Sequence, residues 1–296
     1  MRNHNKKVSA IILLAVTAIM WSLGGLLIKS VNAHPLAISG TRSAIACLII
    51  LLYVKKPKFN WSFPQIAAGV TYASTVILFV AANKFTTAAN AILLQYTAPI
   101  FVALLSAWML KEKPKTIDWI AIVVVFGGMM LFFIDSIDTR GLVGNIFALL
   151  SGISFGLFTI FMRMQKDGSP VESVIMGNAI TAIIGLPFLF ITMPDTKGWL
   201  SLVVLGVVQL GIPYILFSKA IMIATALEAS LITMIEPILN PIWVILVIGE
   251  IPGLFSIIGG IIVIVAVAVR CVIVSPAKFH NEGKINEEKV SKYIAS

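Results

Sequence analysis

Ten stretches of about twenty mainly apolar residues follow one another with only short polar links between them, and this repetition limits the chain to one kind of fold. They fall at roughly 8–28, 35–54, 64–83, 86–110, 116–134, 141–162, 172–192, 198–219, 223–248 and 253–274. About twenty such residues in a helix cross the hydrocarbon core of a bilayer. Backbone amides find no water there, so each stretch must satisfy its own hydrogen bonds as a helix. Charged residues make up 12% of the chain, against about 25% in soluble proteins, too few to cover a water-facing surface. The expected fold is all-α, a polytopic membrane protein of ten transmembrane helices. Links such as 55–60 and 135–140 leave no room for a further domain, and only residues 275–296 read as a soluble, disordered tail. Cys47 and Cys271 lie in apolar runs without metal-like spacing and read as packing residues.

Charge sets the expected orientation. Lys and Arg collect in cytoplasmic loops, and with the N-terminus inside, 17 of the 22 fall on that side, in groups such as Lys55, Lys56, Lys58 and Lys111, Lys113, Lys115. Lys29, Lys84, Arg140 and Lys197 fall outside. The net charge of +9 is then mostly an orientation signal. A nucleic-acid partner is not needed to explain it, and membrane lipid is the expected partner. The expected location is the cytoplasmic membrane with both termini cytoplasmic. Arg2, Lys6 and Lys7 before the first span resemble the start of a signal peptide, but nine further spans and the lack of a clear small-residue cleavage site argue that it is retained.

A shift of 138 residues places Thr87 on Thr225, Pro99 on Pro237, Glu112 on Glu250 and Pro114 on Pro252, without a gap across 70–125 against 208–263. Apolar bias inflates Leu, Ile and Ala matches, but not Pro, Glu and Thr pairs in one register. Trp21 to Lys29 matches Phe155 to Arg163 at a shift of 134. The expected organisation is a cytoplasmic N-terminus over 1–7, a five-helix repeat over 8–134, a linker over 135–140, a second five-helix repeat over 141–274 and the tail. Because five is odd, the second unit enters the membrane from the opposite side. Inverted repeats around a midplane site are how many secondary transporters expose one site to each side in turn.

The segment 86–105, TTAANAILLQYTAPIFVALL, followed by LKEKP at 110–114, resembles the EamA-type family of the drug/metabolite transporter superfamily. The counterpart ALEASLITMIEPILNP at 226–241 with IGEIP at 248–252, and PLAISGTR at 35–42, are similar to the same family. The resemblance covers residues 8–274 and implies a ten-helix transporter of small metabolites. Export of amino acids or related metabolites is the leading function it implies.

An ionisable residue inside the membrane is costly and marks a candidate site. Glu236 lies near the middle of the ninth span, just before Pro237, which lets a helix kink by withholding an amide. It reads as the binder of a cationic group or the carrier of a coupling proton, or else as a hydrogen-bond partner of a neighbouring helix. Asn240 is about 40° round the same helix, and Glu228 is about 12 Å toward the cytoplasm, a solvated or paired entrance residue. Arg42 reads as the partner of a solute carboxylate, a helix end or a lipid phosphate. Trp21, Gln95, Tyr96, Gln209 and Tyr214 complete the candidate solute site, aromatic rings and a carboxylate suiting an organic cation and amides with charges an amino acid. Pro99, Pro213 and Pro237 are expected kinks. Glu112 and Glu250 are expected caps or gates where spans 4 and 9 end.

Gly152-Ile153-Ser154-Phe155-Gly156 matches the G-x-S-x-G nucleophile pattern, but it lies inside an apolar span, and His4, His34 and His280 are all in tails or loops. The chain is not expected to be an enzyme, and no cofactor is expected. The expected function is a secondary transporter moving small organic solutes by alternating access. Uptake of an organic cation or nutrient, or a non-carrier role such as a lipid-flipping subunit, are the alternatives.

Overall fold

The computed structural model describes residues 2–132, 134, 141–239 and 254–274, and every regular element among them is helical. The helices are α1 (Arg2–Trp21), α2 (Gly24–Ser30), α3 (Pro35–Val54), α4 (Phe63–Phe85), α5 (Ala88–Gln95), α6 (Ala98–Met109), α7 (Thr116–Phe132), α8 (Leu142–Met164), α9 (Val171–Gly185), α10 (Thr196–Val204), α11 (Ile212–Ile221), α12 (Ala226–Thr233) and α13 (Leu254–Val274). Seven described segments, from Lys6–Ser30 to Thr196–Ile221, are long and apolar enough to cross a membrane, and Thr116–Leu131 and Ile257–Ile273 are shorter apolar helices. The protein is a polytopic all-α membrane protein. The ninth expected span is described only as far as residue 239; Asn240, Glu250, the link 135–140 and the tail lie outside the described residues. Large apolar side chains such as Trp108, 80% exposed, and Phe190, 93% exposed, face outward, where lipid tails solvate them.

Several spans that the apolar runs present as continuous are interrupted in mid-course. Pro99 has no amide hydrogen for the Gln95 carbonyl four residues back, and Pro237 has none for Thr233. Helices α5 and α12 end at those two residues, the chain turns at Tyr96–Thr97 and at Met234–Ile235, and it becomes helical again at Ala98 and Glu236. The two breaks stand 138 residues apart. A third falls at Ser22–Leu23, before Gly24 and Gly25, which hold helix poorly. In the eighth span the helix widens to π geometry over Leu205–Gly211, just before Pro213. Such a bulge moves a side chain off the regular helical row.

Small residues let the helices approach closely. A methyl group added at Gly152 of α8 would lie 2.7 Å from the Gln95 carbonyl oxygen, and one at Gly40 of α3 would lie 2.5 Å from the Gly185 backbone of α9. Gly206, in the π segment, has no room for a side chain against Ile45 of α3. These contacts hold the interrupted spans in register around a common centre.

Candidate functional site

A small cavity opens where the interruptions meet. The break after α1 contributes Trp21, the break after α5 contributes Gln95 and Tyr96, the π segment contributes Gln209, α11 contributes Tyr214, and the break after α12 contributes Glu236. Arg42 comes from the middle of α3. Of the eight solute-site residues expected from the sequence, seven therefore line one cavity, and Asn240 lies outside the described residues. Thr75, Val76 and Phe79 of α4, Phe155 of α8 and Leu210 complete the lining. The repeat register carried a signal for one of them: Phe155 is the 134-residue counterpart of Trp21, and the two rings meet edge-on at 5.7 Å.

Aromatic packing fixes the walls. Trp21 lies 5.0 Å from Tyr214 and 5.6 Å from Phe217, and Tyr72 meets Tyr214 edge-on at 4.7 Å. The Tyr72 hydroxyl donates to Asn178 Oδ1 at 3.0 Å. The Gln95 side chain donates to Ser151 Oγ at 2.8 Å, and Ser151 passes its hydrogen to the Thr75 carbonyl at 3.1 Å. The Arg42 guanidinium reaches Gln209 Oε1 at 3.0 Å and the Val76 carbonyl at 3.4 Å. Only a π turn sets Gln209 there, and Gly24 makes room for its amide.

Tyr96 and Glu236 form the polar hinge of the site. The Tyr96 hydroxyl contacts both Glu236 Oε2 and, at 3.0 Å, the Thr233 carbonyl, the acceptor that Pro237 leaves without its helical donor. One hydroxyl carries one hydrogen. With that hydrogen on Thr233, the contact to Glu236 is a hydrogen bond only if the carboxyl brings its own proton. An ionised Glu236 takes the hydrogen and leaves Thr233 unbonded. The Glu236 carboxyl and the carbonyl at the broken end of α12 thus share one hydroxyl.

Charged residues gather where α12 begins. Thr225 and Glu228 form a capping box: the Thr225 hydroxyl accepts from the Glu228 amide at 3.1 Å and the Glu228 carboxylate accepts from the Thr225 amide at 3.0 Å. Glu228 also meets Lys7 of α1 at 3.0 Å and Arg270 of α13 at 3.4 Å, and Arg270 meets Asp118 of α7 at 2.8 Å. Glu112 takes Arg163 of α8 at 2.7 Å and accepts from the Ala226 amide at 3.2 Å, so it caps α12 from outside. Arg163 also closes the last carbonyls of α11, Ile221 and Met222, at 3.0 Å each. Glu228 is thus a buried, doubly paired residue at this end, and Glu250 lies outside the described residues.

Where α5 begins, the corresponding position is neutral. Thr87 caps α5 by accepting from the Asn90 amide at 3.1 Å, and the Asn90 side chain donates to Thr86 Oγ1 and Asn145 Oδ1 at 3.2 Å each. Asn90 and Glu228 occupy the same place in the 138-residue register, one tied to α8 by amides, the other to α1 and α13 by charge.

The family model for EamA-like transporters matches the chain twice, over residues 8–134 and 142–270. The pseudopaline exporter CntI of Pseudomonas aeruginosa is 26% identical over 283 residues, which cover 91% of this chain and 97% of the exporter. An uncharacterized transporter of Archaeoglobus fulgidus is 24% identical over 257 residues, covering 86% of this chain and 94% of the relative. A protein of known crystal structure superposes with a TM-score of 0.77 at 15% identity, covering 90% of this chain and 98% of its own, a likeness of fold.

Proposed function

The chain belongs to the EamA-like transporter family and is a membrane transporter, not an enzyme, and from that premise we propose that it carries small organic solutes across the cytoplasmic membrane by alternating access. The observation that carries this reading is the cavity placed where four interrupted spans meet, with one carboxylate and one guanidinium on its walls. Broken helices that free backbone groups at mid-membrane depth are how carriers build solute sites. The two matched segments supply the two halves, inverted relative to each other, and rocking between them opens the cavity to one side and then the other. The charged cluster around Glu228 and Arg270 closes the cytoplasmic end, and the Asn90–Asn145 contact belongs to the opposite closure.

Export of amino acids or related metabolites is the leading assignment, and a relative that bears the name of an exporter supports the direction. Glu236 takes the cationic group of the solute or a coupling proton. An organic-cation carrier is the second reading, favoured by a carboxylate set among the rings of Trp21, Tyr96 and Tyr214.

The test is flux through proteoliposomes that hold the purified full-length chain. Labelled amino acids, organic cations, sugars and nucleobases are supplied with and without an imposed pH gradient. Saturable flux of at least one amino acid is expected, with Glu236→Gln abolishing any stimulation by the gradient. Absence of saturable flux for every solute would overturn the carrier reading.

A further inference from the structure

Arg42 is a cation that forms no ion pair among the described residues. It is 1% exposed, and its two bonds go to neutral acceptors, Gln209 Oε1 at 3.0 Å and the Val76 carbonyl at 3.4 Å, while its Nε hydrogen has no acceptor. The other buried arginines behave differently. Arg163 meets Glu112 at 2.7 Å and Arg270 meets Asp118 at 2.8 Å, so where this fold buries a guanidinium for structure it also buries its carboxylate. A second donor on the same cavity, the Trp21 indole nitrogen, is likewise buried without a partner. Buried donors are almost always satisfied, and a buried unpaired cation is the most expensive exception. Glu236 lines the same cavity, and no ion pair joins it to Arg42. Both charges line one cavity without forming an ion pair.

On the carrier reading above, we propose that Arg42 and Trp21 form the carboxylate subsite of the cavity, so that the transported class is a solute carrying a carboxylate, its amino group directed to Glu236. A guanidinium presents several hydrogens in one plane and matches a carboxylate with two parallel bonds. The indole N–H adds a third donor. The π turn that sets Gln209 against Arg42 is then a positioning device, holding the guanidinium by one edge.

The test uses three matched pairs, alanine, leucine and phenylalanine each against its own carboxamide, in proteoliposomes containing the full chain. The amide keeps the amino group and side chain and removes only the anion. The wild type is expected to move at least one acid about tenfold faster than its amide, the scale of one charge-assisted bond. Arg42→Gln should bring that ratio close to one. Trp21→Phe keeps an aromatic ring, though a smaller one, beside Tyr214 and Phe155 and removes the N–H, and should lower the ratio about threefold. This second variant carries the test if Arg42→Gln does not fold.

Equal rates for acid and amide in the wild type would overturn the subsite, as would Arg42→Gln lowering both alike, the mark of a structural arginine. Flux that follows chloride concentration without discriminating acid from amide would give the guanidinium to an inorganic anion and also overturn it. Transport confined to organic cations or sugars would remove the subsite and leave the carrier standing. No flux of any solute would remove both.

Discussion

Replacing Arg270 by Gln tests whether the charged cluster holds one end of the cavity shut. The Arg270, Asp118 and Glu228 side chains are 4%, 6% and 7% exposed, so the pairs sit largely out of water. Removing one partner from a buried ion pair costs about 3–5 kcal/mol. Here the loss is smaller, because Lys7 remains on Glu228 and the backbone amides of Lys115 and Thr225 remain on the two carboxylates. About 2 kcal/mol is a reasonable figure for the closed state. Once this end opens, the same groups are hydrated and the substitution costs almost nothing. The ratio of open to closed forms should then rise about thirtyfold, since each 1.4 kcal/mol is a factor of about ten.

A cysteine at Thr75, on the cavity wall, reads that ratio once Cys47 and Cys271 are replaced by Ala. Its labelling by an impermeant maleimide added from the α12 N-terminal side should accelerate at least tenfold in Arg270→Gln, and labelling from the other side should slow. Lys7→Gln should act in the same direction more weakly, because Lys7 is 26% exposed. Unchanged labelling in a folded Arg270→Gln protein would refute the idea that these ion pairs close the cavity.

Three other outcomes follow from the geometry. Gly152→Ala puts a methyl group 2.7 Å from a backbone oxygen that cannot move aside, and should cost about 1–3 kcal/mol, read as a lowered thermal midpoint in detergent; Gly127→Ala, with nothing within 4 Å, should leave the midpoint unchanged or raise it. Tyr96→Phe leaves the Thr233 carbonyl without a donor and should cost about 1–3 kcal/mol by the same measurement. Thr225→Ala removes one arm of the capping box and should cost about 1 kcal/mol, with faster hydrogen exchange confined to the first turn of α12.

Much of the site could be read in the sequence for one physical reason: a polar side chain inside an apolar span is conspicuous. Arg42, Gln95, Gln209 and Glu236 stand out on that ground, and all four line the cavity. Charges at span ends are less informative, because orientation already explains them. Asp118 and Arg270 lie near span ends, yet they are buried and paired across α7 and α13. Glu228 read as a solvated or paired entrance residue, and Thr225-x-x-Glu228 is a recognisable capping-box spacing that fixes it at the third position of a helix. The helix breaks were half legible. Pro99 and Pro237 announce theirs and Gly24-Gly25 marks the turn at Ser22–Leu23, whereas the π segment lies against α3 at Gly206 and Ile45, which no local pattern records. Phe155 lies in an apolar run like any other, and only its pairing with Trp21 in the repeat marks it out.

Trans-acceleration separates a carrier from a pore most directly. Proteoliposomes holding the full chain are loaded with whichever amino acid shows saturable flux, and entry of the labelled compound is followed with and without the unlabelled compound inside. A single cavity exposed to one side at a time returns faster when loaded, so internal solute should accelerate labelled entry several-fold and the rate should saturate. Entry that rises linearly with concentration and ignores internal solute would contradict alternating access.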